Sequence, residues 1–460
     1  MKKILSYLVS IIFATVVLVY LSLAGYFWWE GNHLVQIVQN IDSIYKRDKT
    51  QHQITLLDHG LASFAKRIEL IESAKKSIEL EFFIYDLDLA SRFLNLKLIE
   101  AAKRGVEIRI LVDFSIAVFK FAPNYVKELS EYGIEVRYYN TAASSAIVSM
   151  QHRNHRKFLI IDGAKAFTGG RNIANDYFDL SDHYNFLDSD ILIEGEIVEN
   201  IQKSFYLYWD SKFATKPDEL DENINKKFFQ WTAEDKALLM LLKKYEKELN
   251  KFNRQTICND IAFVTDFPGV SPSNRQVYRR IEKIVEEAKS DLKIESPYLV
   301  LKNDGFELLK NLEQRGVEVS INTNSLASTD AYYTVSSLWM NANKIKSAGI
   351  EVNLYNGSKP DYKFSKSTRY GIHSKRAVID GRHTLIGTYN VDPRSANLNS
   401  EVLLICRDNE ELANFVLDNL KERSLHSQDN LAELTKGAST NDKLKFYAAT
   451  PLVYFFDFLL

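Results

Sequence analysis

The sequence predicts an α/β protein of two pseudo-symmetric lobes that share one active site. Three observations predict it. Strand-like and helix-like stretches alternate through the body, as in layered α/β domains. Their order recurs after a break: Arg104-Gly105-Val106-Glu107 is answered by Arg315-Gly316-Val317-Glu318, and Gly133-Ile134-Glu135-Val136 by Gly349-Ile350-Glu351-Val352. Each run then leads to one unusual spacing, carried first by His155, Lys157, Asp162, Gly169, Gly170 and Asn172, and again by His373, Lys375, Asp380, Gly387, Thr388 and Asn390. A repeat this long makes two lobes rather than a solenoid.

In chain order, Lys2 and Lys3 precede an uncharged run over residues 4–29 that is long enough to span a bilayer and is closed by Trp28 and Trp29 at interfacial depth. Residues 1–30 are expected to be a transmembrane anchor. The rival is a cleaved signal peptide, for which Ser22-Leu23-Ala24 resembles a cleavage site. Lysines stand before the span, and no Lys or Arg follows until Lys46, which puts the body on the extracytoplasmic side. Residues 31–53 read as a polar tether and 54–211 as the first lobe. In that lobe Leu61, Phe64, Ala65, Ile68 and Ile71 share a helix face, and strands over 77–85, 106–113 and 134–139 alternate with helices over 94–103 and 123–132. Mostly parallel sheets are expected. Residues 212–260 read as a helical connector packed between the halves, with Thr232 as an N-cap. Residues 261–430 form the second lobe, and 431–460 an apolar tail.

Hydrophobic residues make up 46% of the 460, ample for a large core. Lys+Arg number 58 against Asp+Glu 60, a net charge of -2, which leans against a dedicated nucleic-acid binder. The two cysteines, Cys258 and Cys406, form no framework, and Cys406 in its apolar run reads as a buried thiol.

The motif carries chemistry because residues two apart on a strand share a face, so each His projects beside its Lys. Asp162-Gly163 and Asp380-Gly381 make turns. The small residues after them are expected to leave room for an anionic group near the backbone, to which Asn172 and Asn390 can donate. Two such units facing each other supply two imidazoles, two ammonium groups and two amides, an inventory suited to a phosphodiester and its anionic transition state. A zinc site is not expected: there is no H-E-x-x-H or Cys/His cluster, and the lysines repel a cation.

On this duplicated motif the chain resembles the phospholipase D superfamily, over residues 54–423. It is most similar to the bacterial class C cardiolipin synthases. That closer likeness rests on Gly169-Gly170-Arg171-Asn172-Ile173, Asp176-Tyr177-Phe178, Phe186-x-Asp188-x-Asp190 and Tyr208-Trp209-Asp210-Ser211. It rests also on Thr323-Asn324-Ser325-Leu326-Ala327-x-Thr329-Asp330 and on Asn390-x-Asp392-Pro393-Arg394-Ser395-x-x-Leu398-Asn399-x-Glu401. Thr388 departs from the commoner Ser. Tyr332-Tyr333-Thr334-Val335-Ser336 replaces an aromatic-and-basic pattern, and the loop over residues 141–150 is small and apolar. These departures bear on headgroup choice.

The resemblance implies two-step transfer through a covalent phosphohistidine. His155 is the nucleophile and His373 the acid and base. Lys157, Lys375, Asn172 and Asn390 hold the nonbridging oxygens, with Gly170 and Thr388 beside them. Asp188 and Glu401 bind the imidazole nitrogens facing away from phosphorus, and Asp162 and Asp380 complete the motif by tying its own backbone together. No metal or organic cofactor is implied. The expected protein is a single-pass phosphatidyltransferase of the bacterial inner membrane that makes cardiolipin from phospholipids, phosphatidylglycerol among them, with no nucleic-acid partner. The alternatives are a phospholipase D hydrolase releasing phosphatidic acid, a nucleic-acid phosphodiesterase, and a membrane scaffold with a decayed site. In the tail, Lys443 and Lys445 precede the apolar run from Pro451 to Leu460, which is too short to span and reads either as a membrane-interfacial segment or as a tail docked in a groove.

Overall fold

The computed structural model describes residues 45–114, 123–141, 151–217, 227–269 and 275–456, with a scatter of positions before residue 26. The first lobe runs β1 (Tyr45–Asp48), β2 (His52–Leu57), α1 (Gly60–Ser73), β3 (Ser77–Phe82), α2 (Leu89–Lys103), β4 (Glu107–Asp113), α3 (Pro123–Ser130), β5 (Glu135–Tyr139), β6 (Phe158–Ile161), β7 (Lys165–Gly169), β8 (Tyr184–Leu187), β9 (Asp190–Glu194) and α4 (Ile197–Trp209). After β10 (Ala214–Thr215), α5 (Ala233–Lys244) and α6 (Glu246–Leu249), β11 (Asn253–Cys258) closes the first sheet and β12 (Ile261–Thr265) opens the second. The second lobe continues α7 (Val277–Val285), β13 (Asp291–Glu295), α8 (Asn303–Gln314), β14 (Glu318–Asn324), α9 (Tyr332–Ser347), β15 (Glu351–Tyr355), β16 (Arg369–Ile372), β17 (Arg376–Ile379), β18 (His383–Gly387), α10 (Pro393–Asn397), β19 (Val402–Cys406), α11 (Glu410–Ser424), β20 (Ser427–Gln428) and α12 (Thr440–Phe456).

Two nine-stranded sheets result, ordered β10-β5-β4-β3-β6-β7-β9-β2-β11 and β1-β12-β19-β18-β17-β13-β14-β15-β20. They are mixed, not mostly parallel. Only β3-β4-β5 and β13-β14-β15 run parallel within them. β6 lies antiparallel to β3 and β17 to β13, and the Asp-Gly turns after each motif then fold β6 onto β7 and β17 onto β18 as antiparallel hairpins, so pairing on that side of each sheet is antiparallel throughout. One face of each sheet joins a common core with α4 and α11, where Ile54, Leu56, Ile191 and Ile193 meet Phe263, Val402 and Leu404. The opposite faces are covered by α1–α3 in one lobe and α7–α9 in the other.

Two boundary expectations are corrected. The tether carries β1, which pairs with β12 at the edge of the second sheet and ties Arg47 to Asp260 at 2.6 Å. The connector helix α5 is not sandwiched between the lobes. Its Leu238 and Leu242 belong to the first lobe's outer core, where an apolar stripe finds cover. Its start is as the sequence indicates, with Thr232 and Asp235 closing a capping box. The N-terminal span lies largely outside the described residues. Described positions within it, Tyr7, Ile11, Leu18 and Leu21, are helical and exposed. Among the described residues no helix is long and apolar enough to cross a membrane.

The buried-thiol reading is also corrected. Cys258, at the end of β11 in the first sheet, is bonded to Cys406, at the end of β19 in the second, with Cα atoms 6.1 Å apart. The sequence spacing hid this pair because only β12, lying beside β19, brings the two strand ends together. The bridge closes a separation of 148 residues across the shared core. A loop of that length corresponds to about 5 kcal/mol of lost denatured-state entropy in the chain-entropy account. Reduction, or Cys406→Ser, is therefore expected to lower the melting temperature by about 5–10 °C in a scanning-calorimetry comparison. An unchanged transition would mean that the pair is not bridged in solution.

Candidate active site

Each motif histidine is delivered by a backbone bridge between the lobes. β8 of the first lobe pairs in parallel with β16 of the second, Leu187 opposite Ile372. The next residues, Asp188 and His373, therefore emerge side by side, and the His373 N–H donates to Leu187 O at 2.8 Å. The other half repeats the device. Asn154 and Ser400 form an isolated parallel bridge, the His155 N–H donates to Ser400 O at 3.0 Å, and His155 and Glu401 emerge together.

The outcome is a crosswise exchange. His155 Nδ1 lies 3.0 and 3.1 Å from the two Glu401 oxygens, and His373 Nδ1 lies 2.6 Å from Asp188 Oδ2. A donating Nδ1–H in each ring leaves Nε2 as the free nitrogen of each imidazole. Phe83 packs edge-on against His155 at 5.2 Å between centroids, while Tyr177 and Phe186 flank His373 at 5.1 and 4.8 Å. These contacts fix both ring planes.

The lysines complete the floor of the cleft. Lys157 Nζ donates to His155 O at 2.6 Å, and Lys375 Nζ donates to His373 O and lies 2.9 Å from His373 Nδ1. Burial pulls Lys157 down to about 7 and Lys375 down to about 8, against the neighbouring carboxylates. Burial and then Lys157 and Lys375 hold His155 well below its ordinary value. Burial and Lys375 bring His373 down to about 4, against the pull of Asp188. Both rings are thus neutral in the open site.

The two carboxylates differ. Burial alone would raise Asp188, but His373, Lys375 and Arg171 outweigh it and hold the carboxyl below the usual range. Burial pushes Glu401 up to about 8 despite Lys157 and the hydroxyls of Thr388 and Ser395. Ser395 donates to Glu401 at 2.9 Å, and Thr388 donates to its other oxygen.

Several motif positions serve other ends than the spacing suggests. Gly170 does not leave room for an anion; a Cβ there would stand 2.0 Å from Asp188 Oδ1, so the carboxylate occupies that space. Thr388 props Glu401 instead of lining the ligand space. Asn172 is engaged, accepting from the Ile84 N–H at 3.1 Å and donating to Tyr177 at 2.8 Å. Asn390 differs, since among the described residues its buried Oδ1 has no hydrogen-bond partner. Asp162 and Asp380 are not in the cleft. They lie beyond the far ends of β6 and β17 at φ 54° and 53°. Asp162 accepts the N–H groups of Lys75, Lys76 and Ser77, and Asp380 those of Lys289, Ser290 and Asp291. Burial would raise both, yet these donors hold them below the usual range. The loop over residues 142–150 lies outside the described residues.

Other supporting groups went unread. Asn154 and Arg156 alternate with the motif pair and point to buried Glu81; Ser374 and Arg376 point likewise to Glu295. Buried Asp266 accepts the Glu401 N–H at 2.8 Å, and Asp113 accepts that of Asn154 at 2.8 Å. The sequence carried little signal for them, because Glu81 and Glu295 stand on strands with other charged residues, Glu79 in one and Asp291 and Lys293 in the other.

Comparison with known proteins places this site in context. The family profile described as "Cardiolipin synthase, PLD-like domain" matches twice, over residues 67–209 and 281–422. An uncharacterized protein of Helicobacter pylori strain J99 is 30% identical over 425 residues, covering 84% of this chain and 83% of its own. Cardiolipin synthase 1 of Bacillus anthracis is 25% identical over 390 residues, covering 82% and 67%. The crystal structure of a phosphatidylserine synthase from Haemophilus influenzae Rd KW20 superposes with a TM-score of 0.67 at 18% identity, over 88% of this chain and 95% of that one.

Proposed function

The chain belongs to the cardiolipin synthase family with a duplicated phospholipase D-like domain, and on that premise we propose that it transfers a phosphatidyl group between phospholipids through a phosphohistidine on His155. The observation that carries the reading is the crosswise exchange, in which each lobe's histidine is oriented by the other lobe's carboxylate. Neither half is complete alone.

His155 Nε2 attacks phosphorus, and the P–O bond to the leaving alcohol breaks as that oxygen takes a proton from the His373 imidazolium. The acceptor hydroxyl then gives its proton to His373 while its oxygen attacks phosphorus, and the P–N bond breaks. His155 starts neutral, as a nucleophile must. His373 faces the ionised carboxylate, Asp188, which stabilises its cation. In the open cleft Asp188 is ionised while burial favours the neutral form of Glu401 and draws down both lysines. An entering phosphodiester adds one negative charge and draws a proton onto His373. Lys157, Lys375 and the side-chain N–H groups of Asn390 hold the nonbridging oxygens; Asn172 has one Nδ2–H beyond the one it gives Tyr177. Asp162 and Asp380 keep the turns that set motif register.

Residues 1–30 anchor the protein in the bacterial inner membrane with the body outside the cytoplasm. The lysine distribution supports that orientation, and so does the Cys258–Cys406 bridge, since such bridges persist in oxidising compartments. Alkylation of intact cells followed by mass spectrometry is expected to leave both cysteines unmodified until reductant is added. Modification without reductant would reverse the placement.

In mixed micelles containing phosphatidylglycerol, the enzyme is expected to yield cardiolipin and a released headgroup alcohol, with phosphatidic acid minor and no loss of activity in EDTA. Dominant phosphatidic acid across acceptor concentrations would favour the hydrolase. Nucleic-acid cleavage without lipid product would sink both lipid readings.

A further inference from the structure

Helix α12 seats one apolar stripe on the body and leaves another uncovered. Phe446 and Val453 are 0% and 4% exposed, and Thr450 Oγ1 meets Ser336 Oγ of α9 at 3.2 Å. Leu444, Tyr447 and Pro451, spaced i, i+3 and i+7, lie on the opposite side; Leu444 is 68% and Tyr447 59% exposed. The strip continues onto α9. Trp339, 49% exposed, rests edge-on against Phe446 with centroids 6.0 Å apart.

Lysines flank this strip, while Glu351 and Asp429 line the cavity that Trp339 and Lys346 also line. Lys443 and Lys445 flank Leu444, and Lys346 shares the α9 face of Trp339 seven residues on. The carboxylates nearest on α12 and before it, Asp442 and Glu433, are paired with Arg369 and Lys436. The same helix α9 starts at Tyr332, two residues after Asp330, whose carboxylate accepts from Tyr298 at 3.1 Å and acts on His373 and Lys375. From Tyr333 to Trp339 is about 9 Å along the axis.

We infer that the exposed face shared by α9 and α12 is where the body rests on an anionic lipid surface, holding the mouth of the site at headgroup level. Leucine, Tyr and Trp belong at the acyl boundary and the lysines among anionic headgroups. The inference rests on the transferase reading by naming the surface that meets its substrate. An N-terminal anchor would keep the whole chain on a bilayer in either case, so the test reads position and not binding.

With Cys258 and Cys406 bridged, a spin label can be placed through Tyr447→Cys or Leu444→Cys in the full chain, and through Met240→Cys on α5 as an exposed control. In vesicles of phosphatidylethanolamine and phosphatidylglycerol, the ratio of oxygen to nickel-complex collisions at positions 444 and 447 is expected to rise several-fold over that at 240. A ratio equal to the control's would overturn the proposal, because the face then stays in water. Shielding from both reagents would overturn it too, pointing to a second copy or another protein. The readout needs no turnover, so the docking face can fail while cardiolipin is still made, or hold when it is not.

Discussion

His155→Ala or His373→Ala is expected to lower turnover by at least about 10^4-fold, since neither the covalent role nor the proton-transfer role has a spare group. His152, a short step from His155 along the chain, cannot substitute. It is fully buried, and its Nδ1 is turned to Leu398 O at 3.2 Å. The two losses should differ in kind. Without His155 no adduct forms. Without His373 the leaving alcohol departs slowly, but the acceptor then lacks its base, so a phosphatidyl group should accumulate on His155. Acid-labile adduct mapped by mass spectrometry distinguishes them. Adduct on His373 in the unaltered enzyme would reverse the assignment while keeping the chemistry.

The second large effect is an inequality between two carboxylates that sequence symmetry would treat alike. Asp188→Asn should lower kcat by on the order of 10^3–10^4-fold with KM little changed. Asp188 is ionised and accepts from His373 Nδ1, so an amide removes the charge that stabilises the imidazolium. It cannot swing aside, because the Gly170 backbone packs against it. Glu401→Gln should cost far less, about 10–100-fold. Burial already pushes Glu401 up to about 8, so a neutral side chain of the same length resembles its state at neutral pH. Thr388 and Ser395 can turn their hydroxyls to suit the amide. Equal losses in the two variants would show that the lobes are electrostatically equivalent and that Glu401 is ionised in the working enzyme.

These two expectations divide according to what the chain displays locally. His155 with Lys157, and His373 with Lys375, were legible because period-two geometry puts residues i and i+2 on one face whatever surrounds the strand. The duplication and the alternation of strands and helices were legible for the same reason: they follow from local pattern and repetition. Sheet direction was misjudged because β6 pairs antiparallel with β3, and β17 with β13, a long-range choice that the alternation of strands and helices does not display. The small residues of the motif were legible as close approach, but not what approaches. Gly170 makes room for Asp188, a residue of its own lobe, and not for the ligand.

By itself the sequence determined the two-lobed architecture, the inventory of the site and the pairing of each histidine with its lysine, because those depend on neighbours along the chain. Only the tertiary structure decided which carboxylate serves which histidine and which cysteine meets which. Asp188 is 185 residues from His373, and Glu401 is 246 from His155. Those partners meet because β8 pairs with β16 and Asn154 bridges Ser400 across the lobes. Cys258 and Cys406 meet because β12 crosses from one sheet to the other beside β19. Long-range strand pairing is set by the burial of whole sheet faces against each other, a property no window of the sequence contains.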